Sequence, residues 1–104
     1  MELKISSFNC RGVNISKIKH IETILTECTI LMLQETWYLP GEVGTLNRYF
    51  KDYNTYGISG INDCVPLLGR PYGGCSFLYR KSLSASIEHM DMDSKRVCCI
   101  RLKT

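Results

Sequence analysis

Residues 29–34, Thr29-Ile30-Leu31-Met32-Leu33-Gln34, form an apolar run of strand length that stops at a single carboxylate, Glu35. An amphipathic helical pattern precedes the run, and a second strand pattern precedes the helix. No other feature limits the fold as much as this order. Residues 3–9 alternate apolar and polar, with Leu3 and Ile5 on one face. The polar turn Asn9-Cys10-Arg11-Gly12 follows, and Ser16 is placed to cap a helix over residues 17–27 in which Ile18, Ile21, Ile24 and Leu25 share one side. Strand, helix and strand make a crossover unit. Such crossovers are right-handed almost without exception, which makes the two strands parallel. Asn9 and Glu35 then close neighbouring strands on one edge of the sheet, where open α/β sheets bind ligands.

The rest of the chain reads as shorter pieces. Residues 39–42 are a turn, and residues 43–50 are compatible with a short helix that turns Leu46, Tyr49 and Phe50 inward. Residues 53–58 read as a strand. A turn at residues 59–63 opens a loop that runs to residue 72. Residues 73–80 form another strand, followed closely by residues 84–89, and residues 96–102 form the last. The expected fold class is α/β (α+β): one region that starts as a βαβ unit and continues as a β meander.

At 104 residues the chain makes at most one domain, residues 1–104, and 44% hydrophobic with 22% charged residues is ordinary for a globular protein. No apolar run is long enough to span a membrane, and the N-terminus carries no secretory pattern, so an intracellular location, nuclear or cytoplasmic, is expected. The net charge of +3 permits a polyanionic partner without arguing for one. Six cysteines without CxxC spacing read as reduced thiols rather than three disulfides or a zinc site.

Glu35 is the first candidate functional residue. An unpaired carboxylate in apolar surroundings is costly and is kept with a metal, a cation or a hydrogen-bond donor. Equally, Glu35 is where a strand emerges into solvent. Arg11 reads as a phosphate contact or as a solvated charge, and Trp37 as a base-stacking ring or as rim packing. Gly73 and Gly74 mark a close backbone approach or plain turn geometry. His20 on the polar side of the helix and His89 late in a strand offer no general base.

Three segments together carry a resemblance: Phe8-Asn9-Cys10-Arg11-Gly12, Leu33-Gln34-Glu35-Thr36-Trp37, and Gly69-Arg70-Pro71-Tyr72-Gly73-Gly74-Cys75 leading into a strand that ends at Arg80-Lys81-Ser82-Leu83. In order and spacing they resemble the endonuclease/exonuclease/phosphatase superfamily, which includes apurinic endonucleases, DNase I and inositol polyphosphate phosphatases. Within it they look most like the N-terminal endonuclease domain of non-LTR (LINE-type) retrotransposons. The resemblance implies the N-terminal half of a DNase I-like four-layer αββα sandwich. It implies a divalent cation, Mg2+ or Mn2+, ligated by Glu35 with Asn9 beside it, Arg11 toward the substrate, and DNA as the partner of the complete domain.

The family's second half brings a tyrosine, an Asp-x-Asn motif and a terminal aspartate–histidine pair. This sequence has no Asp-x-Asn, and Asp91-Met92-Asp93 is followed by Ser94. The expectation is therefore a DNA-nicking phosphodiesterase fragment, inactive in isolation. Two alternatives are a non-catalytic truncated copy that self-associates through an uncovered sheet face, and a member of the phosphatase branch.

Overall fold

The structure, a computed structural model, describes residues 2–61, 69 and 72–103. Strand β1 (Ile5–Asn9) and strand β2 (Ile30–Gln34) are joined by helix α1 (Ile15–Leu25). They pair in parallel with Ile5 opposite Ile30 and Asn9 opposite Gln34, as the crossover rule requires. Strand β3 (Tyr53–Ile58) and strand β4 (Cys75–Arg80) complete a four-stranded sheet in the order β1-β2-β4-β3. The meander expected after β2 is thus folded back, with β4 antiparallel to both β2 and β3 and β3 at the edge. Strands β5 (Ile87–Met90) and β6 (Cys99–Leu102) form a separate antiparallel pair.

Period-two alternation sorts the sheet residues between two cores. Leu31, Leu33 and Leu78 pack with Ile18, Ile21 and Leu25 of α1 and with Leu46 of the short helix α2 (Leu46–Tyr49). The opposite face sets Ile30 and Tyr79 against Leu83 and Ile87, with Ile100 and Leu102 of β6 partly buried beside them. Helices, sheet and the β5–β6 pair are therefore three successive layers. The second face is only partly covered: Ile5 keeps 55% of its surface exposed.

Several local expectations are corrected. Asn14, not Ser16, caps α1: extended backbone lets its Oδ1 accept from the Lys17 amide at 3.1 Å, while Ser16 sits inside the first turn and donates to the same oxygen at 2.8 Å. The helix stops at Leu25 instead of residue 27 because Thr26 and Glu27 bond back to Thr23 and Ile24 in a tighter turn. The turn expected at residues 39–42 is present as a 3-10 turn at Pro40–Glu42, and the helix expected over residues 43–50 shrinks to the single turn of α2. Leu46 and Phe50 face inward, but Tyr49 is 53% exposed. The strand expected at residues 84–89 begins only at Ile87, after a 3-10 stretch at Lys81–Ser86. The turn expected at residues 59–63 and the loop that follows it fall largely outside the described residues. Among those described, no helix is long and apolar enough to cross a membrane, and Cys10, Cys28, Cys75, Cys98 and Cys99 are free thiols.

Candidate functional site

The two parallel strands end together, and the backbone ladder continues past their ends. The amides of Cys10, Gly12 and Val13 donate to the carbonyls of Gln34, Glu35 and Thr36 at 2.8, 2.8 and 3.1 Å. On the other side, the amides of Thr36 and Trp37 donate to Gly74 and Gly73 at 3.3 and 2.9 Å. The segment carrying Glu35 is thus held between the loop after β1 and the approach to β4. The segments at residues 8–12 and 33–37 meet at this edge with Gly73 and Gly74 of the third.

Holding the chain there costs backbone strain. Among the described residues, Arg11, Glu35 and Trp37 are the non-glycine residues with positive φ, at 49°, 51° and 62°. Each left-handed residue costs of order 1 kcal/mol, and such conformations persist where the surroundings over-determine them. Gly12, with φ 88°, lies directly under the Trp37 ring: a Cβ there would sit 2.8 Å from Cζ3. Gly74, with φ 89°, would bring a Cβ within 2.6 Å of Thr36 Oγ1. Both glycines are therefore required by close approach as well as by conformation.

Beside Glu35 opens a cleft of about 450 Å3, lined by Gln34, Glu35, Gly60, Tyr72, Gly73 and Gly74, with Cys75, Lys95 and Arg96 completing the wall. Glu35 is half-buried, and among the described residues no hydrogen bond or ion pair engages its carboxylate; the ion pair there is Arg101–Glu88, far along the β5–β6 pair. Asn9, opposite Gln34, is exposed, and its Oδ1 accepts from the Arg11 amide at 3.2 Å, which leaves that oxygen a second lone pair. Asn9 and Arg11 stand on the β1 side, outside the lining of the cleft, and Arg11 is exposed. The structure therefore gathers Asn9 and Glu35 at adjacent strand ends and leaves Arg11 exposed outside the cleft lining.

Lys95 and Arg96 were not singled out for the site by sequence. Their place on the cleft follows from β6 returning to pair with β5, a long-range event that no local pattern reports. Neither histidine reaches the site: the His20 ring packs 4.7 Å from that of Phe8, and His89 Nε2 is 2.7 Å from the Tyr79 hydroxyl. Two hydroxyls, Thr36 Oγ1 and Ser76 Oγ, are buried without a partner among the described residues. Thr36 follows Glu35 directly, so one of these unsatisfied oxygens belongs to the strained segment itself.

A model of the endonuclease/exonuclease/phosphatase family matches residues 6–101. No curated protein sequence matches the chain. Among solved structures, the chain superposes with a TM-score of 0.63 and 14% identity on the 3′ phosphatase NExo from Neisseria, determined with a product DNA hairpin. The match covers 97% of this chain and 38% of that one.

Proposed function

The chain belongs to the endonuclease/exonuclease/phosphatase family and has the DNase I-like mixed α/β fold of its structural neighbour, and from this premise we propose that it is part of a divalent-metal-dependent phosphodiesterase that nicks DNA, of the kind carried by non-LTR (LINE-type) retrotransposons. The observation that carries the reading is Glu35, held in strained backbone by hydrogen bonds on both sides, without a partner for its carboxylate among the described residues, and facing a cleft that Lys95 and Arg96 also line. The retrotransposon branch rests on the wording of residues 33–37 and 69–75, of which Arg70 and Pro71 lie outside the described residues.

The donor set suits a hard cation. No group of three His, Cys, Asp or Glu residues gathers among the described residues, which argues against an all-protein cage. Magnesium and manganese need fewer protein ligands, one or two carboxylates with water filling the rest. Glu35 and Asn9 are the residues that would hold such an ion, both oxygen donors and both open to water. The ion, when bound, supplies Lewis-acid polarisation of a phosphoryl oxygen and charge stabilisation of the leaving oxygen.

The chain's own residues supply the remainder. Glu35 brings a fixed negative charge whose backbone cannot swing, because Gly12 and Gly73–Gly74 pin the residues around it. Asn9 adds a neutral oxygen or an amide donor without adding charge. Lys95 and Arg96 offer cationic donors to a phosphate, Arg96 in the planar fork that suits two oxygens at once. No imidazole or second carboxylate among the described cleft residues can take a proton from attacking water. Hydrolysis by this chain alone is accordingly expected to be negligible.

The test is incubation of the purified chain with supercoiled plasmid and magnesium, alongside a DNA-binding titration at low and moderate salt. The plasmid should stay intact while binding is measurable at low salt and falls as salt rises. Robust magnesium-dependent nicking that disappears in Glu35→Ala would overturn the inactivity, and absence of binding at low salt would overturn DNA as the partner. A second reading, phosphomonoester hydrolysis, draws on the neighbour being a 3′ phosphatase bound to a DNA hairpin. It predicts preferential binding of 3′-phosphorylated hairpins over the same hairpins ending in a hydroxyl.

A further inference from the structure

We propose that Cys75 and Cys98 form a thiol-modification site, oxidised to an intramolecular disulfide by low-molecular-weight disulfides of the glutathione type, which ties the Lys95–Arg96 wall of the cleft to the start of β4. The site is independent of whether the cleft hydrolyses anything.

The two cysteines lie 23 positions apart in sequence but line one surface groove together with Met32, Gln34, Phe77 and Arg96. Cys75 opens β4, opposite Gln34 on one side and Ile58 on the other. Cys98 comes in from the segment before β6 and lays its Sγ 3.6 Å from the carbonyl of Tyr56, a residue of neighbouring β3. The Cys98 S–H donates to that carbonyl, and both cysteines lie along the same groove. Both cysteines are partly open to solvent, and residues 91–97, which lead to Cys98, are exposed throughout, so no buried side chain holds that approach in place.

The chemical asymmetry suits a sequential exchange. Proximity to Cys98 lowers the Cys75 pKa, whereas the neighbouring Cys75 raises that of Cys98 and keeps its proton in place. Cys10 and Cys28 are buried and have raised pKa values, which keeps them protonated and poor nucleophiles. The Cys75 thiolate attacks one sulfur of the small disulfide, forming a mixed disulfide and releasing one small thiolate. With Cys75 capped, its negative charge no longer holds the Cys98 proton. Cys98 loses that proton to solvent and attacks Cys75 Sγ, and the second small thiolate leaves and is protonated. The cysteine pair gives up two electrons and the small disulfide gains them.

The consequence falls on the cleft. Cys75 itself lines it, and Arg96 stands two residues before Cys98. A Cys75–Cys98 bond anchors an otherwise exposed segment at the point where its cations line the site.

The experiment is exposure of the reduced chain to excess oxidised glutathione, followed by alkylation and peptide mapping. The expected result is loss of two alkylatable thiols and a peptide linking Cys75 to Cys98, with Cys10 and Cys28 still alkylated. Cys98→Ser should leave Cys75 as a stable mixed disulfide with glutathione, and Cys75→Ser should leave Cys98 reduced. Amide exchange at residues 95–98 should slow in the oxidised chain and not in Cys98→Ser. A dominant linkage through Cys99 or Cys64, or full alkylation of all six cysteines after exposure, would overturn the proposal.

Discussion

The Trp37 ring lies across the α-carbon of Gly12, so close that a β-carbon at Gly12 would fall 2.8 Å from Cζ3. This contact locks the loop after β1 to the loop after β2, and the left-handed φ of Gly12, 88°, is disfavoured for any other residue.

Gly12→Ala is therefore expected to destabilise the fold by about 2–3 kcal/mol, combining left-handed strain with displacement of the ring. Urea unfolding followed by Trp37 fluorescence measures it. A loss below about 0.5 kcal/mol, the range of ordinary surface substitutions, would mean that the two loops are not locked in this way.

The cap of α1 separates two neighbouring side chains. Asn14→Ala should cost about 1 kcal/mol because the Lys17 amide loses its acceptor, whereas Ser16→Ala should cost only a few tenths. Thermal or denaturant unfolding of both variants checks the order, and a larger loss from Ser16→Ala would return the cap to the residue that the sequence pattern favours.

Alkaline pH should weaken the fold through Cys10. Its thiol is fully buried, and desolvation pushes its pKa up from 9.0 to about 11 against the opposing charge of Lys17. The folded state holds this proton more tightly than the unfolded state. Its stabilisation is complete below pH 9.0 and declines as pH rises through about 11. At about 1.4 kcal/mol per pKa unit the total is on the order of 2–3 kcal/mol. Tyr38, pushed up to about 12 chiefly by burial, carries the decline further. Unfolding free energies at pH 8 and pH 10.5 should differ in the native chain and differ less in Cys10→Ala; equal slopes would remove Cys10 as the source.

The half-covered sheet face leads to a prediction of self-association. Ile5 on β1 is 55% exposed, and β1 is a sheet edge. Sedimentation should show a mass that rises with concentration and that Ile5→Lys reduces. A strictly monomeric species at every concentration would contradict this.

Legibility of the fold in the sequence followed the range of the interactions. The β1–α1–β2 unit was readable because its signals are local: alternation in β1, the stripe of Ile18, Ile21 and Leu25, and the apolar run before Glu35. Parallel pairing then followed from chirality alone, and with it the placing of Asn9 and Glu35 at the ends of neighbouring strands; the register, Asn9 opposite Gln34, came from the structure. The insertion of β4 between β2 and β3 was not readable, since antiparallel pairing over such separations leaves no local trace. The cap went to Ser16 by pattern because it directly precedes the stripe that begins at Ile18, whereas the helix in fact starts at Ile15, whose side chain is 73% exposed and lies off that stripe. At the site, Glu35 was visible as a charge closing an apolar run. Lys95 and Arg96 were not, because only the return of β6 brings them to the cleft.

The proposed role of Glu35, a carboxylate that holds a divalent cation, is open to Mn2+ titration of the chain, read by the paramagnetic signal of the free ion. One saturable site is expected, with an affinity that falls at least ~10-fold, about 1.4 kcal/mol, in Glu35→Gln, while the fold stays intact by circular dichroism. Equal Mn2+ affinity in the native chain and Glu35→Gln would contradict it.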